Sequence, residues 1–335
     1  MNGTAAVGFF FVLSGFVLTR HYFVAGEPDF LLRNAIKRWP RLALPVVLVV
    51  LLSWALFHFS LYRFEEAAKY TQSPWLSRFA YAYAVPFKVD FLDALDQGLF
   101  LTFFRGDSYY DSNLWTMRYE LIGSFMAFGM AFIIGPHANI LTKLYLVAVI
   151  AVIIHFTTQE WYITFPVGVL MAALLPDRTT RLPLWISLVG IAVALYLAGY
   201  SMVDRGVFHP MYIAFARPPS SIYVWTVAAV ALIVSVSLNG RIRAILSTKV
   251  GTFFGWISFP LYLVHVPILC SVGCATFLWT LPWLPAPYPN VAAALATVVG
   301  SIVVSIPFAA INGHWLAVLN QWVRSGSARH ELPRN

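Results

Sequence analysis

The sequence predicts an all-α fold, a polytopic integral membrane bundle of about nine transmembrane helices. Of its 335 residues, 60% are hydrophobic and 11% are charged, where a soluble domain carries roughly 25% charged residues. Mean hydropathy is +0.74. The apolar residues also come in runs of about 20, the length that crosses a bilayer as a helix. So little charge cannot cover a water-exposed globule of this size, which sets aside a soluble enzyme and a disordered chain. The formal net charge of +8 sits in short clusters beside apolar runs. That is a pattern of membrane orientation, and no basic stripe marks a nucleic-acid partner.

Windows of that length give spans at 5–24, 40–62, 114–135, 140–156, 160–176, 183–203, 221–239, 253–278 and 291–311. The first run has no basic leader and no small-residue cleavage site, so it reads as a retained helix. The fourth and fifth are short and closely spaced. Residues 63–113 are too polar to span and form an outer segment. Within it, 91–104 has apolar residues at helical spacing interrupted by Asp93, Asp96 and Gln97, which fits an interfacial or re-entrant helix. Cys270 and Cys274, four apart in one apolar run, read as buried thiols and not as a disulfide or metal site. The Trp and Tyr of 279–289 suit a headgroup belt. Spans 1–311 make one transmembrane domain, followed by a tail at 312–335.

Alternating the loops gathers fourteen of the 22 Lys and Arg on one side: Arg20, Arg33, Lys37, Arg38, Arg41, Lys143, Arg178, Arg181, Arg241, Arg243, Lys249, Arg324, Arg329 and Arg334. The positive-inside rule makes that side, with the C-terminal tail, cytoplasmic. The expected location is a plasma membrane, the inner membrane if the source is bacterial.

Polar groups inside spans are costly and mark function. Ser14 falls near mid-span beside Gly15, which permits close helix approach; the plainer reading is a packing glycine and a serine bonded to its own backbone. Arg38 and Arg41 are three apart at the cytoplasmic mouth of the second span, with Pro40 suiting its first turn. Paired guanidiniums bind phosphate in bidentate fashion, although positive-inside anchoring needs the same residues. Glu120 lies about two turns into a helix that starts outside and must pair, bond or protonate. Ser258, Tyr262 and His265 share a helical face kinked or started by Pro260; a satisfied core histidine is the simpler account, and simpler still for His58 and His155.

The elements FFFVLSGFVLTR (9–20), RWPRLALP (38–45), LWTMRYE (114–120) and ISFPLYLVHVP (257–267) occur in that order. The ordered set resembles the membrane-bound acyltransferase family 3. The resemblance implies transfer of an acyl group, often acetyl, from cytoplasmic acyl-coenzyme A to a hydroxyl of a carbohydrate or glycoside, with no tightly bound cofactor. It implies that Arg38 and Arg41 meet the donor phosphates and that Glu120, His265 and Ser14 take part in catalysis. Tyr262, Ser258 and Trp115 are expected to line the tunnel. The family has ten spans and an essential histidine on its first, ahead of the point where this chain's match begins. The expectation is therefore a chain lacking that helix and weak in activity. An inactive truncated paralogue and a transporter or flippase are the alternatives, the latter without the repeat symmetry common in transporters.

Overall fold

The computed structural model describes residues 3–80, 88–157, 159–175, 181–200 and 220–328. Every regular element among them is helical. In chain order the longer ones are α1 (Gly3–Ala25), α2 (Pro28–His58), α3 (Phe64–Thr71), α4 (91–104), α5 (Trp115–Ile134), α6 (Ile140–Thr157), α7 (Thr164–Leu174), α8 (Leu184–Ala198), α9 (Ser221–Ser237), α10 (Gly240–Leu246), α11 (Lys249–Ile268), α12 (Cys274–Thr280) and α13 (Tyr288–Ala328). α4 contains a π-helical turn at Gln97–Leu101, and a second at Leu269–Gly273 joins α11 to α12.

A helix stands at each of the nine predicted places, but length separates them. Five stretches are long and apolar enough to cross a membrane: Gly3–Ala25, Pro28–His58, Ser112–Ile134, Lys249–Thr280 and Tyr288–Val323. Ser221–Ser237 and Gly240–Leu246, bent by 93°, would make a sixth if they form one broken span. α6, α7 and α8 have 18, 11 and 15 residues, about 17–27 Å of helix against a hydrocarbon core of about 30 Å. The count that length supports among the described residues is thus five or six, below the nine expected. Of the basic residues used for orientation, Arg178, Arg329 and Arg334 lie outside the described residues, as do position 176 of the fifth predicted span and positions 201–203 of the sixth.

Two boundaries differ from the sequence reading. α2 begins at Pro28, so Pro40 and Pro45 lie inside it instead of at its start. Pro28 and Asp29 supply the first-turn proline and acidic residue that favour a helix start. α13 runs on to Ala328, through the first part of the predicted tail, with Pro307 inside it.

The contacts divide the chain into two units. The first comprises Met1–Ile36 and Tyr119–Gly251. Its centre is the crossing of α1 and α7. A Cβ on Gly168 would stand 2.2 Å from the Val12 carbonyl oxygen and 3.0 Å from the Gly15 Cα. A Cβ on Gly15 would stand 2.6 Å from the Phe165 carbonyl oxygen. Only two facing glycines let the backbones touch, as in small-residue membrane packing. Val12, Phe16, Ala127, Val169 and Ala172 form the buried core around the crossing, and Phe11 stacks on Phe165 at 5.2 Å.

The second unit comprises Lys37–Arg118 and Thr252–Asn335. Here α4 lies antiparallel along α2. Phe91 meets the Trp54 ring at 5.2 Å, a Cβ on Gly98 would fall 2.9 Å from the Val47 Cα, and Phe100 stacks on Trp39 at 5.7 Å. The chain then returns as an irregular strap. Gln97 Nε2 and Thr102 Oγ1 both donate to the Asp107 carbonyl, and Ser53 Oγ donates to the Tyr110 carbonyl. The strap carries Asp111, whose carboxyl is fully buried with no side chain bonded to it among the described residues. Burial holds it well above the usual carboxylate range, with the Asn113 backbone N–H acting in the opposite sense.

Two predictions follow from this packing. Gly168→Ala should destabilise the protein by about 2–3 kcal/mol, because the added carbon overlaps backbone that cannot yield. Gly129→Ala, where the space is open, should not; denaturant unfolding in detergent compares the two. The folded chain keeps an Asp111 proton that the unfolded chain loses above about pH 4, so its contribution to stability falls as pH rises above that point. Asp111→Asn should therefore gain in melting temperature relative to the parent between pH 4 and pH 8. A difference that does not change with pH would show Asp111 to be ionised.

Candidate functional site

In the first unit the structure joins two of the sequence elements. Ser14 on α1 donates its hydroxyl to Glu120 Oε1 on α5 at 2.6 Å, across 106 residues of chain. Glu120 is 1% exposed. Ser14 thus bonds across to a second helix, while Thr19, five residues on, donates to the Gly15 carbonyl of its own helix. The glycine crossing brings α7 against α1 directly beside Ser14. Phe11, one turn before it, touches Tyr119, Trp161 and Phe165, so aromatic rings cover that side of the pair. At 2.6 Å from hydroxyl to carboxyl oxygen, the hydrogen bond is at the short end of the O–H···O range. It fixes the direction of the carboxylate, and it places an acceptor for the serine proton that no local spacing could reveal.

In the second unit the last element is clamped to the start of the third. Pro267 has no N–H to give the Leu263 carbonyl, one turn back in α11. Asn113 Nδ2 reaches into that gap, donating to the Tyr262 carbonyl and, at 3.5 Å, to that of Leu263. Tyr262 answers: its hydroxyl donates to the Asn113 carbonyl at 3.0 Å and pairs with Thr116 Oγ1 at 2.8 Å. His265 is half-buried, and its Nδ1 lies 2.6 Å from the Tyr262 carbonyl. A carbonyl only accepts, so Nδ1 carries the proton, and in the neutral ring the lone pair is on Nε2. Such a ring can take a proton at Nε2. Tyr262 thus acts as a clamp. Ser258 is exposed and bonds back to the Gly255 carbonyl of its own helix. Trp115 is half-buried at the start of α5.

Arg38 is 5% exposed, while Arg41, one turn on, is exposed. Their surroundings on α2 are structured. Lys37 Nζ donates to Asn320 Oδ1 at 2.9 Å, Trp315 Nε1 to the Pro40 carbonyl at 2.8 Å, and Trp39 Nε1 to the Leu99 carbonyl at 3.1 Å. The end of α13 and the π turn of α4 therefore both hold the basic turn of α2. His58 stacks on Trp54, and His155 bonds to the Tyr223 hydroxyl. Among the described residues no three His, Cys, Asp or Glu side chains converge as metal ligands.

Ser14 and Glu120 belong to the first unit; Arg38, Arg41, Trp115, Ser258, Tyr262 and His265 belong to the second. Sequence reasoning missed Asn113 and Thr116. Asn113 stands just before LWTMRYE, where a polar residue reads as a helix cap. Thr116 stands inside that element, at an ordinary apolar-helix position.

A family model described as an acyltransferase domain matches residues 1–310. No curated protein and no solved structure matches the chain. The matched stretch contains all four sequence elements and the helices that carry them, and the chain belongs to the membrane-bound acyltransferase family 3.

Proposed function

We propose that the protein transfers an acyl group, acetyl in the simplest case, from cytoplasmic acyl-coenzyme A to a hydroxyl of a carbohydrate or glycoside at a plasma membrane. The observation that carries the reading is the buried hydrogen bond between Ser14 and Glu120. A carboxylate kept among apolar helices at a cost in solvation, and aimed by a serine from another helix, is a functional device more often than a structural one. The donor's phosphates are assigned to Arg38 and Arg41. A guanidinium withdrawn from water binds phosphate more strongly than one on an open surface.

A sugar hydroxyl attacks a thioester carbonyl only as its proton is withdrawn. His265 has its Nδ1 proton committed and a lone pair at Nε2, which suits it to that withdrawal. Glu120 is the second candidate to hold or pass on the proton. As the hydroxyl oxygen bonds to the carbonyl carbon and the C–S bond breaks, the thiolate of coenzyme A leaves and takes up a proton. Positioned acid–base groups contribute roughly 10²–10⁴-fold to such steps.

The test is release of free thiol from acetyl-coenzyme A by the purified protein, with and without a carbohydrate acceptor. Absence of release, with the protein folded, rejects the reading. Arg38→Ala should weaken donor binding by about 10–100-fold, the loss of charge-assisted bonds worth about 1.5–3 kcal/mol, and Arg38→Lys should not restore it. Calorimetric titration with coenzyme A measures both. Glu120→Gln keeps the side-chain shape and should lower kcat by about 100-fold or more with the unfolding midpoint unchanged. An unaltered kcat would remove Glu120 from the reaction.

A further inference from the structure

A pocket of about 460 Å³ opens in the second unit where α2 ends and α3 begins, lined among others by Phe57, Tyr62, Arg63, Glu65, Glu66 and Lys69. We infer that it binds a neutral carbohydrate, the sugar that receives the acyl group. The inference rests on the carbohydrate-acceptor reading above and gives that acceptor a place in the chain.

Three features carry it. The volume lies within the roughly 300–1,000 Å³ of small-molecule sites. The rim charges balance: Arg63 and Lys69 line the pocket together with Glu65 and Glu66 from a single turn-and-helix, and all four are exposed. A phosphate or an ammonium group would meet as many like charges as opposite ones. A neutral polyol is served by all four, because its hydroxyls both donate to carboxylates and accept from the cations. Beneath this rim, the Phe57 and Tyr62 rings provide an apolar wall for the C–H face of a sugar ring.

The pocket is also held in shape from behind. The Arg63 N–H donates to the Cys270 carbonyl at 3.0 Å, and the Leu61 N–H to that of Leu56 at 2.8 Å. The Tyr62 hydroxyl pairs with Ser53 at 2.8 Å, and burial keeps it protonated by raising its pKa well above the ordinary value. The Phe57 ring packs on Tyr62 at 4.4 Å and edge-on to Phe64 at 6.3 Å. A site fixed in advance loses less freedom when it binds. It lies at the start of the polar 63–113 segment, on the side opposite to the basic clusters in the expected topology.

Cysteine labelling tests this without any acyl transfer. The native thiols, Cys270 and Cys274, are buried, so a maleimide reports on an introduced cysteine. Ser60→Cys sits in the pocket lining, Leu56→Cys gives a second reporter there, and the exposed Ser77→Cys is the control outside it. The probes are maltose, lactose, N-acetylglucosamine, phosphocholine and inorganic phosphate. At least one neutral sugar should slow labelling at the two pocket positions by about threefold or more and leave Ser77→Cys unchanged. Adding Glu66→Gln should raise the sugar concentration required by about tenfold. Labelling unchanged by every sugar overturns the inference, as does protection by phosphocholine or phosphate alone. Protection without thiol release from acetyl-coenzyme A would count against the reaction and leave the pocket standing; thiol release without protection would do the reverse.

Discussion

A carboxyl group surrounded by apolar helices needs a donor, and Glu120 receives one from α1 only because α1 and α7 cross with nothing but hydrogen between their backbones. Gly15 and Gly168 make that approach possible. Ser14 is the residue next to the crossing, so its direction is set by the packing and not by a flexible turn. Phe165 belongs to the same contact: its carbonyl faces Gly15 while its ring stacks on Phe11. Backbone approach, aromatic cover and the hydrogen bond thus occupy a few residues of three helices. A change in any of them is felt by the carboxylate.

The second unit uses proline where the first uses glycine. Pro267 leaves a carbonyl without its helical partner, and a side chain from the 111–116 stretch fills the vacancy. The same stretch then receives the Tyr262 hydroxyl in return. The exchange ties the beginning of α5 to the middle of α11 through side chains of both, and it settles the protonated nitrogen of His265 at the shared carbonyl. On α2, Trp39 and Lys37 are bonded to α4 and α13, so the arginine turn between them is braced on two sides.

What could be read from the sequence follows from how local each signal is. Apolar runs report helices directly, and a helix stands wherever one was expected. Whether a run spans depends on its length after turns have taken their share, and Gln159–Ile163 before α7 and the cap at Gly199 after α8 leave both helices below that limit. Pro40 was placed at a helix start because proline favours that position, yet Pro28 already fills it and the intervening residues are good helix formers. The Ser14–Glu120 contact could not be seen, since nothing local links residues 106 apart. The Asn113 clamp was hidden for a related reason: its purpose lies in a carbonyl exposed by a proline some 150 residues further along the chain. Arg38 and Arg41 have the same spacing whether they are buried or exposed, so their spacing could not tell which of the two would be withdrawn from water.

The π turns at Gln97–Leu101 and Leu269–Gly273 have a consequence for how this chain should be aligned and edited. Each packs about one residue more into its turn than the α-helix on either side. The outward and inward positions of α4 and of α11–α12 are therefore out of phase across them by about 100°. A single-residue deletion there would close the turn to an ordinary α-helical one and leave the residues beyond it facing the same neighbours, whereas the same deletion elsewhere in these helices would rotate everything beyond it by about 100°.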